Sequence, residues 1–150
     1  MINTMSKNAY IAKDAHVFGN AKVFGTSVMK DSAVISGNVK LYDACQIYDT
    51  AHISGDMRVA GTAKIYGNTK LFGVGHIQGE ADISSSNDWL TMVYAGKVIT
   101  IYKSRCDTGF EVNLDGVNTN LVELSVLVSD KVARYLNQLV KERKWVTKKK

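Results

Sequence analysis

From Ala9 to Ser86 the chain divides without a slip into thirteen six-residue units, among them AHVFGN, AKVFGT, AVISGN, AHISGD and AKIYGN. The third position of every unit is aliphatic: Ile11, Val17, Val23, Met29, Ile35, Leu41, Ile47, Ile53, Val59, Ile65, Leu71, Ile77 and Ile83. No charge interrupts that column. The first position is mostly small (Ala9, Ala15, Ala21, Ser27, Ala33, Cys45, Ala51, Ala63, Ala81), and the fifth is Gly in eight units and Asp in three.

A period of six fits neither a helix, which repeats at 3.6, nor a flat strand, whose buried face would receive apolar residues too sparsely. A coil that turns every six residues satisfies it. One aliphatic side chain per short strand points inward, a small residue packs near each corner, and Gly or Asp supplies a turn backbone that bulky residues resist. Three units close a triangular turn, and successive turns stack as parallel strands about 4.8 Å apart. The thirteen units thus predict a left-handed parallel β-helix of a little over four coils, roughly 20 Å long by that spacing.

The period is lost after Ser84-Ser85-Ser86-Asn87-Asp88. Trp89 to Tyr94 and Val98 to Lys103 are β-rich runs joined around Ala95-Gly96-Lys97, a hairpin pattern, and Phe110 to Leu114 adds a short strand before Asp115-Gly116. From Leu121 the apolar spacing becomes helical (Leu121, Leu124, Leu127, Val128, then Val132, Tyr135, Leu136, Leu139, Val140), with Ser129-Asp130 as an interruption and Asp130 as the expected cap of a second helix. The chain is therefore read as mainly β: residues 1–86 form the β-helix, and residues 87–150 form a small α+β unit that covers its open end and carries a basic tail. An uncovered last coil would leave strand edges and core exposed.

Composition narrows the class. Across 150 residues, 45% are hydrophobic and 22% charged, which excludes a wholly disordered chain. No apolar run approaches a membrane span, and two cysteines, Cys45 and Cys106, are too few for a disulfide framework. The expectation is a mature cytoplasmic protein with reduced thiols. The net charge of +5 is unevenly placed: residues 1–86 hold 8 basic and 7 acidic side chains, and residues 87–150 hold 11 and 7. Lys131 to Lys150 contains eight basic residues against one acid. Lys141, Arg143 and Lys144 are candidate binding residues there, and Lys148-Lys149-Lys150 ends the basic tail.

Sorting the outward positions by face exposes a second basic feature. Every third unit brings Lys22, Lys40, Arg58 and His76 into one column, with Phe24, Tyr42, Ala60 and Gln78 two residues on. Like charges stacked one coil apart repel unless an anionic partner or facing carboxylates neutralise them. Basic residues beside aromatics suit phosphate contact with base stacking, or an acidic protein surface. Lys22, Lys40, Arg58, His76, Phe24 and Tyr42 are therefore the leading site, and nucleic-acid contact is expected through this ladder or the basic tail. The histidines His16 and His52 share another face but lie two coils apart with Val34 between them, too far for joint metal ligation. No catalytic triad, metal cluster or cofactor fingerprint is visible. The outward aromatics Phe18, Phe72, Tyr48 and Tyr66 predict a homo-oligomer, dimer or trimer.

The units written small-x-aliphatic-x-Gly-x, as in Ala21-Lys22-Val23-Phe24-Gly25-Thr26, resemble hexapeptide-repeat proteins. Gly stands one position later than in the pattern of the well-known acyltransferases, which moves the resemblance toward repeat proteins of bacterial and phage genomes. Asp88-Trp89-Leu90 and Asn120-Leu121-Val122-Glu123-Leu124 loosely resemble C-terminal domains that follow such repeats in phage proteins. The resemblance implies a non-enzymatic binding module, encoded by a phage or mobile element, that occupies and inhibits a host protein or nucleoprotein complex such as a CRISPR-type defence effector. Its alternatives are a trimeric acyltransferase, with histidine as general base at a subunit interface, and a self-assembling structural β-helix.

Overall fold

The structure, a computed structural model, describes residues 8–145. It is a left-handed parallel β-helix of about four coils followed by an α+β unit. Thirteen strands build the coils: β1 (Tyr10–Ile11), β2 (His16–Val17), β3 (Lys22–Val23), β4 (Val28–Met29), β5 (Val34–Ile35), β6 (Lys40–Leu41), β7 (Gln46–Ile47), β8 (His52–Ile53), β9 (Asp56–Val59), β10 (Lys64–Ile65), β11 (Lys70–Leu71), β12 (Val74–Ile77) and β13 (Asp82–Ile83). They sort into three parallel faces, ordered β1-β4-β7-β10-β13, β2-β5-β8-β11 and β3-β6-β9-β12.

The aliphatic column fills the prism. Val23, Met29, Ile35, Leu41, Ile47, Ile53, Val59 and Ile65 are fully buried, while Ile11 and Val17 in the first coil are only half-buried. At one corner a large first-position residue is matched by glycine: Met57 packs under Gly75, where a Cβ would stand 3.2 Å from the Met57 Cε.

Each fifth-position Gly from Gly19 to Gly79 has positive φ, and so do Asp31, Asp43 and Asp49 at 56°, 57° and 60°. Left-handed backbone costs a non-glycine residue about 1–2 kcal/mol, and aspartate offsets it with a bond to the next coil. The Asp43 carboxylate accepts the Gly61 N–H at 2.9 Å, and that of Asp49 accepts the Gly67 N–H at 3.0 Å. Asp31 accepts the Asp49 N–H at 3.1 Å.

The coil hydrogen bonds run one way. The second-, fourth- and sixth-position N–H groups donate to the carbonyl seventeen residues later, as in Tyr10 to Ser27, His16 to Ala33 and Tyr66 to Ile83, while first-position groups close the corner, as in Ala15 to the Ala12 carbonyl. The last coil is consequently left with donors, and buried donors must find acceptors. Side-chain oxygens stand in for the missing carbonyls: Ser86 Oγ takes the N–H of Lys70, Thr100 Oγ1 that of His76, the Tyr102 hydroxyl that of Gln78, Glu111 Oε2 that of Glu80, and Asp88 Oδ2 that of Ser84.

Those acceptors come mainly from an antiparallel sheet of β14 (Trp89–Tyr94), β15 (Lys97–Lys103), β16 (Phe110–Leu114) and β17 (Val117–Thr119). Period-two alternation divides the labour along β15. Thr100 and Tyr102 face the β-helix, while Ile99 and Ile101 join Val112, Leu124, Leu136, Val140 and Trp145 in a second core under α1 (Leu121–Leu127) and α2 (Asp130–Glu142).

Three details differ from expectation. β15 starts at Lys97, because Ala95 and Gly96, both with positive φ, form a two-residue hairpin turn. Asp115-Gly116 makes a second such turn, which adds β17, a strand the sequence reading lacks. The cap of α2 is Ser129, whose Oγ accepts the Val132 N–H; Asp130 is already helical and pairs with Arg134 at 2.8 Å. No helix among the described residues is long and apolar enough to cross a membrane.

Candidate functional site

Parallel pairing puts Lys22 beside Lys40, Lys40 beside Arg58, and Arg58 beside His76, one coil apart on the β3-β6-β9-β12 face. Strand alternation turns Val23, Leu41, Val59 and Ile77 inward and these four outward. The next outward column begins with Phe24 and Tyr42, whose rings stack at 5.3 Å and 16°. All six residues of the leading site thus share one surface. Among the described residues the only ion pair is Arg134–Asp130, so no carboxylate pairs with Lys22, Lys40 or Arg58.

The α+β unit closes the upper end of this face. Gln78 Nε2 donates to the Gly116 carbonyl at 2.8 Å, and the Asp115-Gly116 turn leans over the ladder. A cleft of about 310 Å³ results, lined by Tyr42, Arg58, Ala60, His76, Gln78 and Asp115. Burial, and then the Arg58 cation, hold the His76 imidazole below its ordinary value, against the smaller pull of Asp115 and Asp56. The arrangement offers two unpaired ammonium groups and a guanidinium in line, an aromatic platform beside them and a largely neutral imidazole at the end. Chemically, such a set can donate hydrogen bonds to oxyanions and offers rings for stacking.

The sequence reading has Asp115 and Gly116 only as the end of a strand, not as site residues. They lie far from the repeat along the chain, and only the docking of the sheet onto the last coil brings them to His76. A larger cleft of about 500 Å³ lies on the same sheet, lined by Glu80, Cys106, Phe110, Glu111, Asn118 and Asn120. Glu111 there is committed to the Glu80 N–H and to Ser104 Oγ.

The C-terminal candidates are placed apart from the ladder. Arg143 donates to the carbonyls of Asn87 at 3.1 Å and Trp89 at 2.7 Å and lies 5.6 Å over the Trp145 ring. Its guanidinium ties the end of α2 to the start of β14. Lys141 and Lys144 are exposed beside it. Lys148-Lys149-Lys150 lies outside the described residues. His16 and His52 flank Val34 on the β2-β5-β8-β11 face. Among the described residues, no group of three or more His, Cys, Asp or Glu is placed to hold a metal ion.

No family model, curated protein or solved structure matches the chain. The coil architecture itself is that of the hexapeptide-repeat β-helix.

Proposed function

We propose that the protein is a binding module whose β3-β6-β9-β12 face docks a polyanionic partner. The observation that carries this reading is the in-register Lys22–Lys40–Arg58 column with no carboxylate paired to it. Stacked cations about 4.8 Å apart raise the energy of the free protein, and a partner bearing phosphates or carboxylates removes that cost on binding. The Phe24–Tyr42 stack adds a platform for a base, so a nucleoprotein complex suits both halves of the strip. In the setting implied by the repeat resemblance, a phage-encoded protein would occupy and inhibit such a complex of its host. The test is binding of a labelled single-stranded oligonucleotide, and of host complexes recovered from lysate, across a salt series. Affinity falls as salt rises and collapses in the Lys22→Glu/Lys40→Glu/Arg58→Glu variant. Equal affinity for variant and wild type at all salt concentrations overturns the reading.

One observation favours a second reading, acyl transfer. His76, depressed below its ordinary value by burial and by Arg58, opens into the cleft beside Tyr42 and Asp115, and a neutral imidazole is what a general base requires. Turnover of an acyl thioester with amine or hydroxyl acceptors, abolished by His76→Ala, establishes that chemistry. Its absence with the oligonucleotide and host complexes still bound leaves the docking role standing.

A further inference from the structure

The β2-β5-β8-β11 face differs from the other two. Its outward rows are His16 with Phe18, Val34 with Ser36, His52 with Ser54, and Lys70 with Phe72. Of these eight side chains only Lys70 carries a formal charge. Phe18 and Phe72, at opposite ends, are 54% and 68% exposed. His16 stacks on Phe18 at 5.8 Å.

We infer that this face binds a second copy of the chain about a two-fold axis parallel to the coil axis. Such an axis sets each row against itself in reverse, so the second position of one copy meets the fourth position of the other. Val34 then faces Ser36 of the second copy, and His52 faces Ser54, a large side chain over a small one twice in the centre. At one end Phe18 meets the imidazole of His16, and at the other the Lys70 ammonium meets the Phe72 ring, a favourable cation–π arrangement. Every row is self-complementary. The same operation on the ladder face would gather six cations, two copies each of Lys22, Lys40 and Arg58, into one interface beneath the Asp115-Gly116 turn. On the β1-β4-β7-β10-β13 face the operation would set Val28 against the Lys30 ammonium of the second copy, and its polar groups are already engaged within the chain: Lys30 Nζ lies 5.3 Å from the Tyr48 ring and the Tyr66 hydroxyl donates to Asp82.

The contact is small. Four strands at about 4.8 Å make a patch below the roughly 800 Å² per partner of a standard interface, so the dimer forms in the micromolar range. Sedimentation velocity of the full chain from about 1 to several hundred micromolar, a range that brackets that affinity, is expected to show monomer passing into dimer. Val34→Asp and His52→Asp each weaken the dimer at least about tenfold with the circular dichroism unchanged, since a carboxylate at the centre of the contact loses its water and gains a single serine hydroxyl in exchange. Lys64→Glu, on another face, leaves the dimer as it was. The axis is tested with Lys70→Cys in a Cys106→Ser background: a short bismaleimide links residue 70 to residue 70, which the opposite, antiparallel packing would hold about three strand spacings, some 14 Å, apart. A monomer throughout, a trimer, a dimer indifferent to Val34→Asp, or no residue-70 crosslink overturns the inference.

Discussion

The Tyr102 hydroxyl accepts the backbone N–H of Gln78 at 3.0 Å, so a side chain of the antiparallel sheet ends a hydrogen-bond column of the β-helix. Tyr102 is fully buried. Tyr102→Phe strands that donor and should cost about 1–3 kcal/mol, read as a lower urea midpoint with little change in m-value. An unchanged midpoint would show that the Gln78 N–H has another acceptor.

Glycine at the coil corner serves two needs that substitution separates. Gly73 has positive φ but open space where a methyl group would stand, whereas a Cβ on Gly55 would lie 2.4 Å from the Gly73 carbonyl oxygen. Gly73→Ala therefore meets backbone strain alone, about 1–2 kcal/mol. Gly55→Ala meets strain and a backbone collision between coils, and its thermal midpoint should fall clearly further. Equal losses would mean that corner spacing is slack.

The two thiols should report the two environments. Cys45 is fully buried against Ser27, and burial chiefly pushes its pKa up to about 11. Cys106 is half-buried; burial raises its pKa, but hydrogen bonds involving Ser104 and Thr108 outweigh that and bring it below the ordinary thiol value. Thiolate is the reactive form. A disulfide reagent should titrate one thiol per native chain, lost in Cys106→Ser, and two after unfolding; rapid labelling of Cys45 in the native protein would contradict the packing.

The inward column sets the fold. Ile53 and Ile65 are fully buried between coils, and Ile53→Asp or Ile65→Asp would place a carboxylate there with no partner, a cost on the order of 4 kcal/mol. Loss of the β-type circular dichroism spectrum is expected. A variant that keeps that spectrum and its melting temperature would contradict the register.

Alkaline stability follows from Tyr66, whose hydroxyl donates to Asp82 Oδ1 at 2.7 Å. That bond, and then burial, push its pKa from 10.0 up to about 12. The folded state holds the proton more tightly than the unfolded chain, so the contribution is intact below pH 10 and is lost as the pH rises toward 12. Urea midpoints between those pH values should fall less steeply for Tyr66→Phe than for wild type.

The repeat was legible because its period is commensurate with its geometry. Once every sixth residue from Ile11 is assigned inward, the stacking of Lys22 on Lys40 and Arg58 follows by counting eighteen residues. The helical spacing from Leu121 was legible for the same periodic reason. The aperiodic contacts were hidden: Thr100, Tyr102 and Glu111 act as acceptors only because the sheet docks on the last coil, and no spacing encodes that approach. Asp115-Gly116 did carry a readable hairpin signal before Val117-Asn118-Thr119, but its place above His76 depends on the same docking. At Ser129-Asp130 two good capping residues stand side by side, and propensity cannot choose between them.

A coil of eighteen residues makes the length of this molecule a counted quantity. An insertion of eighteen at an exposed left-handed corner would add one rung to each face and lengthen the prism by about 4.8 Å, so the basic column could grow by single cations while both ends stayed intact. An insertion of six would instead turn everything beyond it by a third of a revolution. The Asp115-Gly116 overhang would then stand above a different column, and the cleft at His76 would be rebuilt from other side chains without any change in the cap itself.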